Sequence, residues 1–225
     1  MSLEFFFFTS ALDLALAFNK LLIIFFLLIL VLKGYGQKSS YELDSISKKI
    51  IIDLKNDGIT NIIYYKSYCV GCITEQKPCE YQRPFFNSYI IWQVQNKSFI
   101  TKVDNCGSYK KISISDDILD FYKKNKEKIR NEFIKDFTIQ SIEGIDTSYL
   151  YLAVDHSGHS KIVMYDVKDT IYHHINYFDL AEKSGLDINI NHEFNQGLKM
   201  VGLDNLICLV VTRIEKRKFF IREPK

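Results

Sequence analysis

From residue 40 onward the chain switches repeatedly between two hydrophobic periods. In "SYELDSISKKIIIDLKNDG" the apolar residues fall at 43, 46, 50 and 54, one face of an amphipathic helix. Ser40 is placed to cap its start, and Gly58 to end it. "ITNIIYYKSY" carries no such stripe and is dense in Ile and Tyr, which predicts a strand. "SYIIWQVQ" and "SFITKVD" flank Asn96-Lys97 as a tight hairpin, and "SYKKISI" adds a strand after the turn Asn105-Cys106-Gly107.

A second helix is predicted over "SDDILDFYKKNKEKIRNEFIKDF". Ser115 stands at its N-cap, Asp116 and Asp117 supply first-turn charge, and Ile118, Phe121, Tyr122, Ile129 and Phe133 share a face. "SYLYLAVD" and "KIVMYDV" then read as a hairpin about "HSGHS", with "TIYHHINYF" as a further strand. Ser157-Gly158 and Ser184-Gly185 read as turns. Residues 179–195 are polar and loop-like, and "LDNLICLVVTRIEKRKFF" is long enough to favour a buried helix over a strand. Hairpins separated by helices, rather than a helix after each strand, indicate α+β: an antiparallel sheet built from hairpins with two or three helices packed on it.

The first 36 residues follow a different rule. Lys20 precedes twelve uninterrupted apolar residues, Leu21 to Leu32, with small residues at Gly34 and Gly36. This resembles the leaders of bacterial exported proteins, with cleavage after Gly36. As a helix, twelve residues cover about 18 Å, short of a ~30 Å hydrocarbon core. The expected organisation is therefore a signal over 1–36 and one globular domain over 37–225, periplasmic or secreted. The alternative keeps residues 5–32 as a signal anchor despite Asp13 and Lys20, leaving a membrane-anchored protein facing the exported side.

Three of the five cysteines crowd into the loop 66–84. With Cys106 they form C-x2-C-x6-C-x26-C over Cys69, Cys72, Cys79 and Cys106. Three chemistries fit. Zinc would use the C-x2-C half-knuckle, but no second close pair completes it. A thiol–disulfide enzyme would use Cys69 and Cys72, but Pro78 and Pro84 cut short any helix that could lower a thiol pKa. Structural disulfides suit an exported chain best, with connectivity left open. A Cys69–Cys106 bridge would contribute about 4 kcal/mol and a Cys72–Cys79 bridge about 2.5 kcal/mol in the chain-entropy model. Cys208, inside "LICLVVT", reads as a small core residue.

His156, His159 and His192 are weak metal candidates. A site would need one of His156 and His159, one of His173 and His174, and Glu193, yet no two of these share ligand spacing on one element. No phosphate loop or nucleophile elbow is present, and no cofactor is read. A net charge of +2 gives no case for nucleic acid. Tyrosine is frequent in the strands, at positions 64, 65, 68, 149, 151, 165, 172 and 177. Such residues pack cores, but exposed they also build protein-recognition surfaces. The expected function is a disulfide-stabilised exported module that binds another macromolecule or a ligand without catalysis, another protein being the partner considered. The alternatives are the Cys69–Cys72 oxidoreductase and an anchored accessory subunit of an envelope complex.

Overall fold

The densest apolar strand, β1 (Ile62–Val70), becomes the middle of the sheet. It appears in a computed structural model that describes residues 44–70, 87–104, 106–115, 118–143, 146–167 and 169–223. All of these fall in one compact unit, Asp44–Lys225. The leader, Ser40, Asp116-Asp117 and loop residues Cys72 and Cys79 lie outside the described residues.

β1 pairs antiparallel with β2 (Asn87–Val94) on one side and β8 (Ser157–Tyr165) on the other. The strand order is β4 (Gly107–Ser108), β3 (Lys97–Asp104), β2, β1, β8 and β9 (Thr170–Asn176), with β5 (Ile112–Ile114) also on β3. Cross-strand register puts Ile63, Tyr65, Tyr89, Ile91, Ile100, Ile162 and Met164 on one face. That face meets α2 (Ile118–Asn131) and α4 (Lys199–Lys216) in the main core. The other face carries Tyr64, Ile90, Trp92 and Val163, all buried. α1 (Ser45–Asn56) lies against it: Ser47 Oγ meets Ser88 Oγ at 3.0 Å, and Lys55 sits over the Tyr165 ring at 4.2 Å. The fold is α+β, with helices on both faces of an antiparallel sheet.

A separate two-stranded sheet, β6 (Thr138–Glu143) with β7 (Asp146–Tyr151), stands apart from the main one. β10 (Lys183–Ser184), β11 (Asp187–Ile188) and the five-residue α3 (His192–Gln196) complete the described elements. Gly185 turns β10 into β11 at φ +61°. Among the described residues no helix is long and apolar enough to cross a membrane.

Several expectations shift. Asp44, not Ser40, caps α1, accepting the Ser47 N–H at 2.7 Å. The β2–β3 turn is centred on Gln95-Asn96, at φ 47° and 63°, one residue earlier than expected; positive φ at both positions suits the twist of a tight hairpin. β7 does not pair with β8; its partner is β6, which the sequence pattern did not reveal. Ser157-Gly158 is the start of β8, paired with Val70 and Cys69 of β1. Gly158 is required by close approach instead of a turn, since a Cβ there would stand 2.9 Å from the Tyr177 ring. Phe133 falls beyond the end of α2 and is exposed. Cys208 is exposed too: α4 turns Leu203, Asp204, Ile207, Val210 and Val211 inward, and position 208 points away from that face.

Candidate functional site

After α2 the chain runs through residues 132–137 without strand pairing, so its backbone groups need other partners. Two buried asparagines supply them. Asn195 Oδ1 accepts from the Lys135 N–H at 3.0 Å while its Nδ2 donates to the Lys135 and Asp179 carbonyls. Asn189 Oδ1 accepts from Thr138 N–H at 3.3 Å and its Nδ2 donates to the Asp179 and Ala181 carbonyls. Asp179 Oδ1 takes the Phe137 N–H at 3.0 Å. Ile190 N–H then bonds the Thr138 carbonyl, tying the 186–191 segment to the base of the hairpin.

This anchoring leaves the hairpin's own side chains in solvent. Tyr149 and Tyr151, two apart and so on one face of β7, are 58% and 69% exposed. Phe133 is 63% exposed, and Ile190 and Phe194 are exposed as well. Between them lies a groove of about 460 Å³, lined by Phe133, Ile134, Thr138, Tyr149, Tyr151 and Ile190, among others. The Phe133 and Phe194 rings stand 6.2 Å apart, and Lys135 Nζ lies 4.0 Å over the Phe194 ring. Contiguous exposed apolar surface of this kind is what partner-binding faces use.

On the far side of the 132–136 segment is a second hollow, bounded by the edge strand β9. His173 reaches it from the core face, buried, with Nε2 lacking a hydrogen-bond partner. Burial holds the imidazole below its usual pKa. Asp179, also lining this hollow, is pushed above the usual carboxylate range by burial, against the pull of the Phe137 N–H bond.

The histidines scatter otherwise. His159, on β8, stacks on His174 of β9 with ring centroids 5.0 Å apart, and on Tyr68 at 5.3 Å. Tyr68 OH meets His174 Nε2 at 3.1 Å, and Ser157 Oγ meets His159 Nε2 at 2.8 Å. Burial lowers both imidazole pKa values, and for His174 the neighbouring His159 and Lys161 add to it. His156 is exposed beyond the strand, and His192 opens α3 with Nδ1 2.9 Å from the Leu180 carbonyl. Thus one of the turn histidines does meet one of the 173/174 pair, but as a stack. Among the described residues no three His, Cys, Asp or Glu side chains converge as metal ligands. Cys69 lies in the extended backbone of β1 and Cys106 follows β3; both are disulfide-bonded, while Cys208 is a free thiol.

Two buried carboxylates hold the main sheet to the C-terminal elements. Asp204 on α4, 1% exposed, accepts from Ser160 Oγ at 2.5 Å and Tyr177 OH at 3.1 Å. Desolvation raises its pKa, and no cation offsets it among those bonds. Asp104 is also desolvated, but Arg222 bonds both its oxygens, at 3.0 and 2.7 Å, with Tyr109 OH and the Cys106 N–H adding to them. The balance lowers its pKa. These residues pair structural elements and line neither groove.

Tyr149 and Tyr151 are two of eight strand tyrosines that the sequence does not distinguish from one another, and Phe133, Ile190 and Phe194 were not among the candidates. The available signal was the alternation Leu186, Ile188, Ile190 within a stretch read as polar loop. No protein-family model, curated protein or solved structure matches the chain.

Proposed function

We propose that the chain is an exported, disulfide-stabilised interaction module that binds another protein through the aromatic groove beside the β6–β7 hairpin. The observation that carries this reading is the concentration of exposed rings, Phe133, Tyr149 and Tyr151, around one groove beside the anchored hairpin, with the exposed Phe194 ring 6.2 Å from that of Phe133. Tyrosine and phenylalanine give large contact area at low entropic cost, and they are enriched at the centres of interfaces. Burying one such ring fully contributes about 1.5–3 kcal/mol. The apolar leader supports export, and the cysteine cluster suits a fold that must persist in an oxidising compartment.

The test is site-specific photo-crosslinking in cells making the full chain, with a benzoylphenylalanine at position 149, 151 or 52. Ile52 is an exposed position on α1, remote in sequence from the groove. Positions 149 and 151 are expected to give one shared discrete adduct that position 52 does not. No adduct at either tyrosine, or the same adduct from position 52, overturns the reading.

A further inference from the structure

The two edges of the β6–β7 hairpin differ in what meets them. On the β6 side Thr138 turns both backbone groups away from β7: its N–H donates to Asn189 Oδ1 and its carbonyl accepts from the Ile190 N–H. Leu152 N–H bonds the Phe137 carbonyl, so Thr138 and Tyr151 face each other as a pair without mutual hydrogen bonds. Such pairs alternate along an antiparallel ladder, which fixes the rest of β7. Tyr149, opposite Gln140, and Thr147, opposite Ile142, fall in the same class as Tyr151. The N–H and C=O groups of Thr147, Tyr149 and Tyr151 therefore point out of the far edge of β7. Among the described residues none of these groups has a hydrogen-bond partner.

This edge lacks the residues that ordinarily keep strands from pairing. Residues 147–151, "TSYLY", contain no proline, no lysine and no other charge, and all five are exposed, so neither face is covered. A row of alternating donors and acceptors is completed by another extended backbone. A second copy of β7 fits it poorly. Antiparallel, all three outward residues find partners only with Tyr149 opposite Tyr149 and Thr147 opposite Tyr151. The groove lies on the tyrosine face toward the Thr138–Tyr151 end, where that register would put a threonine, too short to cover it. A large apolar residue opposite Tyr151 would close the groove's side instead. Residues paired through hydrogen bonds share a face, so the N–H of that residue would itself point at β7.

We propose that the protein docked at the aromatic groove adds an extended strand to the far edge of β7, with apolar side chains on alternate residues laid beside Tyr149 and Tyr151. The inference rests on the groove being the docking surface. The full chain is titrated with the probe acetyl-Thr-Phe-Thr-Phe-Thr-Lys-amide while amide exchange is followed by nuclear magnetic resonance. Exchange is expected to slow at Thr147, Tyr149 and Tyr151, whose N–H groups gain acceptors. Methylating both phenylalanine nitrogens removes the donors aimed at β7 and is expected to weaken binding at least about ten-fold, the ratio two lost hydrogen bonds supply. Methylating the third and fifth residues, whose N–H groups face away, should leave it nearly unchanged. Thr147→Pro deletes one outward donor and is expected to weaken the probe, while the Ser148 and Leu150 amides, which face β6, stay protected. Equal affinity of the two methylated peptides, an alanine-for-phenylalanine peptide that binds as well, or no slowing at the three amides overturns the added strand. The crosslinks from positions 149 and 151 judge the groove separately. A dimer of the full chain that Thr147→Pro dissociates in sedimentation would put a second copy on this edge and overturn the assignment to another protein.

Discussion

The main sheet and the β6–β7 hairpin are built from similar residues and treat them oppositely. Tyr64, Tyr65 and Tyr89 in the sheet are buried, while Tyr149 and Tyr151 in the hairpin stand in solvent. What differs is cover. β1 is flanked by two strands and roofed by α1 on one face and by the α2–α4 layer on the other. The hairpin has two strands only, and an isolated pair cannot bury its own side chains. Hydrophobic burial stabilises the sheet, whereas polar side chains reaching backbone hold the hairpin's base. Aromatic content marks a core or an interface only once the layers above it are known.

Side-chain truncation separates the two regions by the largest margin. Ile91→Ala, beside Ile63 and Ile100 in the core, is expected to cost about 2–5 kcal/mol, while Leu150→Ala on the hairpin should change stability by less than about 0.5 kcal/mol. Urea unfolding measures both, and equal losses would refute the distinction. Next comes Asn189→Ala, which strips partners from the Thr138 N–H and two carbonyls and is expected to cost about 1–3 kcal/mol. Hydrogen exchange should quicken at hairpin amides first, with the β1–β2 amides following only the global loss.

The smallest effect is a pH slope in the sheet's own attachment. Asp204 has its folded-state pKa raised by burial, so its favourable contribution is full below about pH 3.9, the unfolded value, and is lost as pH rises through the folded one. Asp104 runs the other way: its contribution is present above about pH 3.9 and lost as pH falls through its depressed value. Asp204→Asn is therefore expected to flatten the stability decline on the neutral side and leave the acid-side loss in place. Unfolding midpoints across pH check this; an unchanged neutral-side slope would contradict it.

Strands with a strong local signature were legible. "IIYY" and the β2–β3 pair announced their type, and with them the α+β class, whereas the apolar run of α4 suited helix and strand alike and only its length favoured helix. β6 was not, because "TIQSIE" is short and mixed and is defined by pairing with a strand that looked committed elsewhere. Gly158 misled for a physical reason: glycine serves close packing against Tyr177 as readily as it serves a turn, and sequence does not say which. The groove was half visible. Tyr149 and Tyr151 were flagged by type, but Phe133 continued the helical stripe of α2 on paper, and only the end of the helix at Asn131 releases it. The second hollow, at β9, left no trace, since Glu132, Asp136, His173 and Asp179 meet through tertiary structure alone.

The pairing of β1 with β8 also sets an order of events. Val70 meets Ser157 and Ile62 meets Tyr165, so residues 71–156 must all be synthesised before the middle of the sheet can close. Until then β1 and β2 form a growing hairpin with one unpaired, strongly apolar edge, the kind of intermediate that aggregates or recruits a chaperone. Such long-range closure also makes for slow folding, since the entropy of a large loop is lost before its contacts form. A nascent chain released short of β8 would therefore carry its stickiest strand exposed.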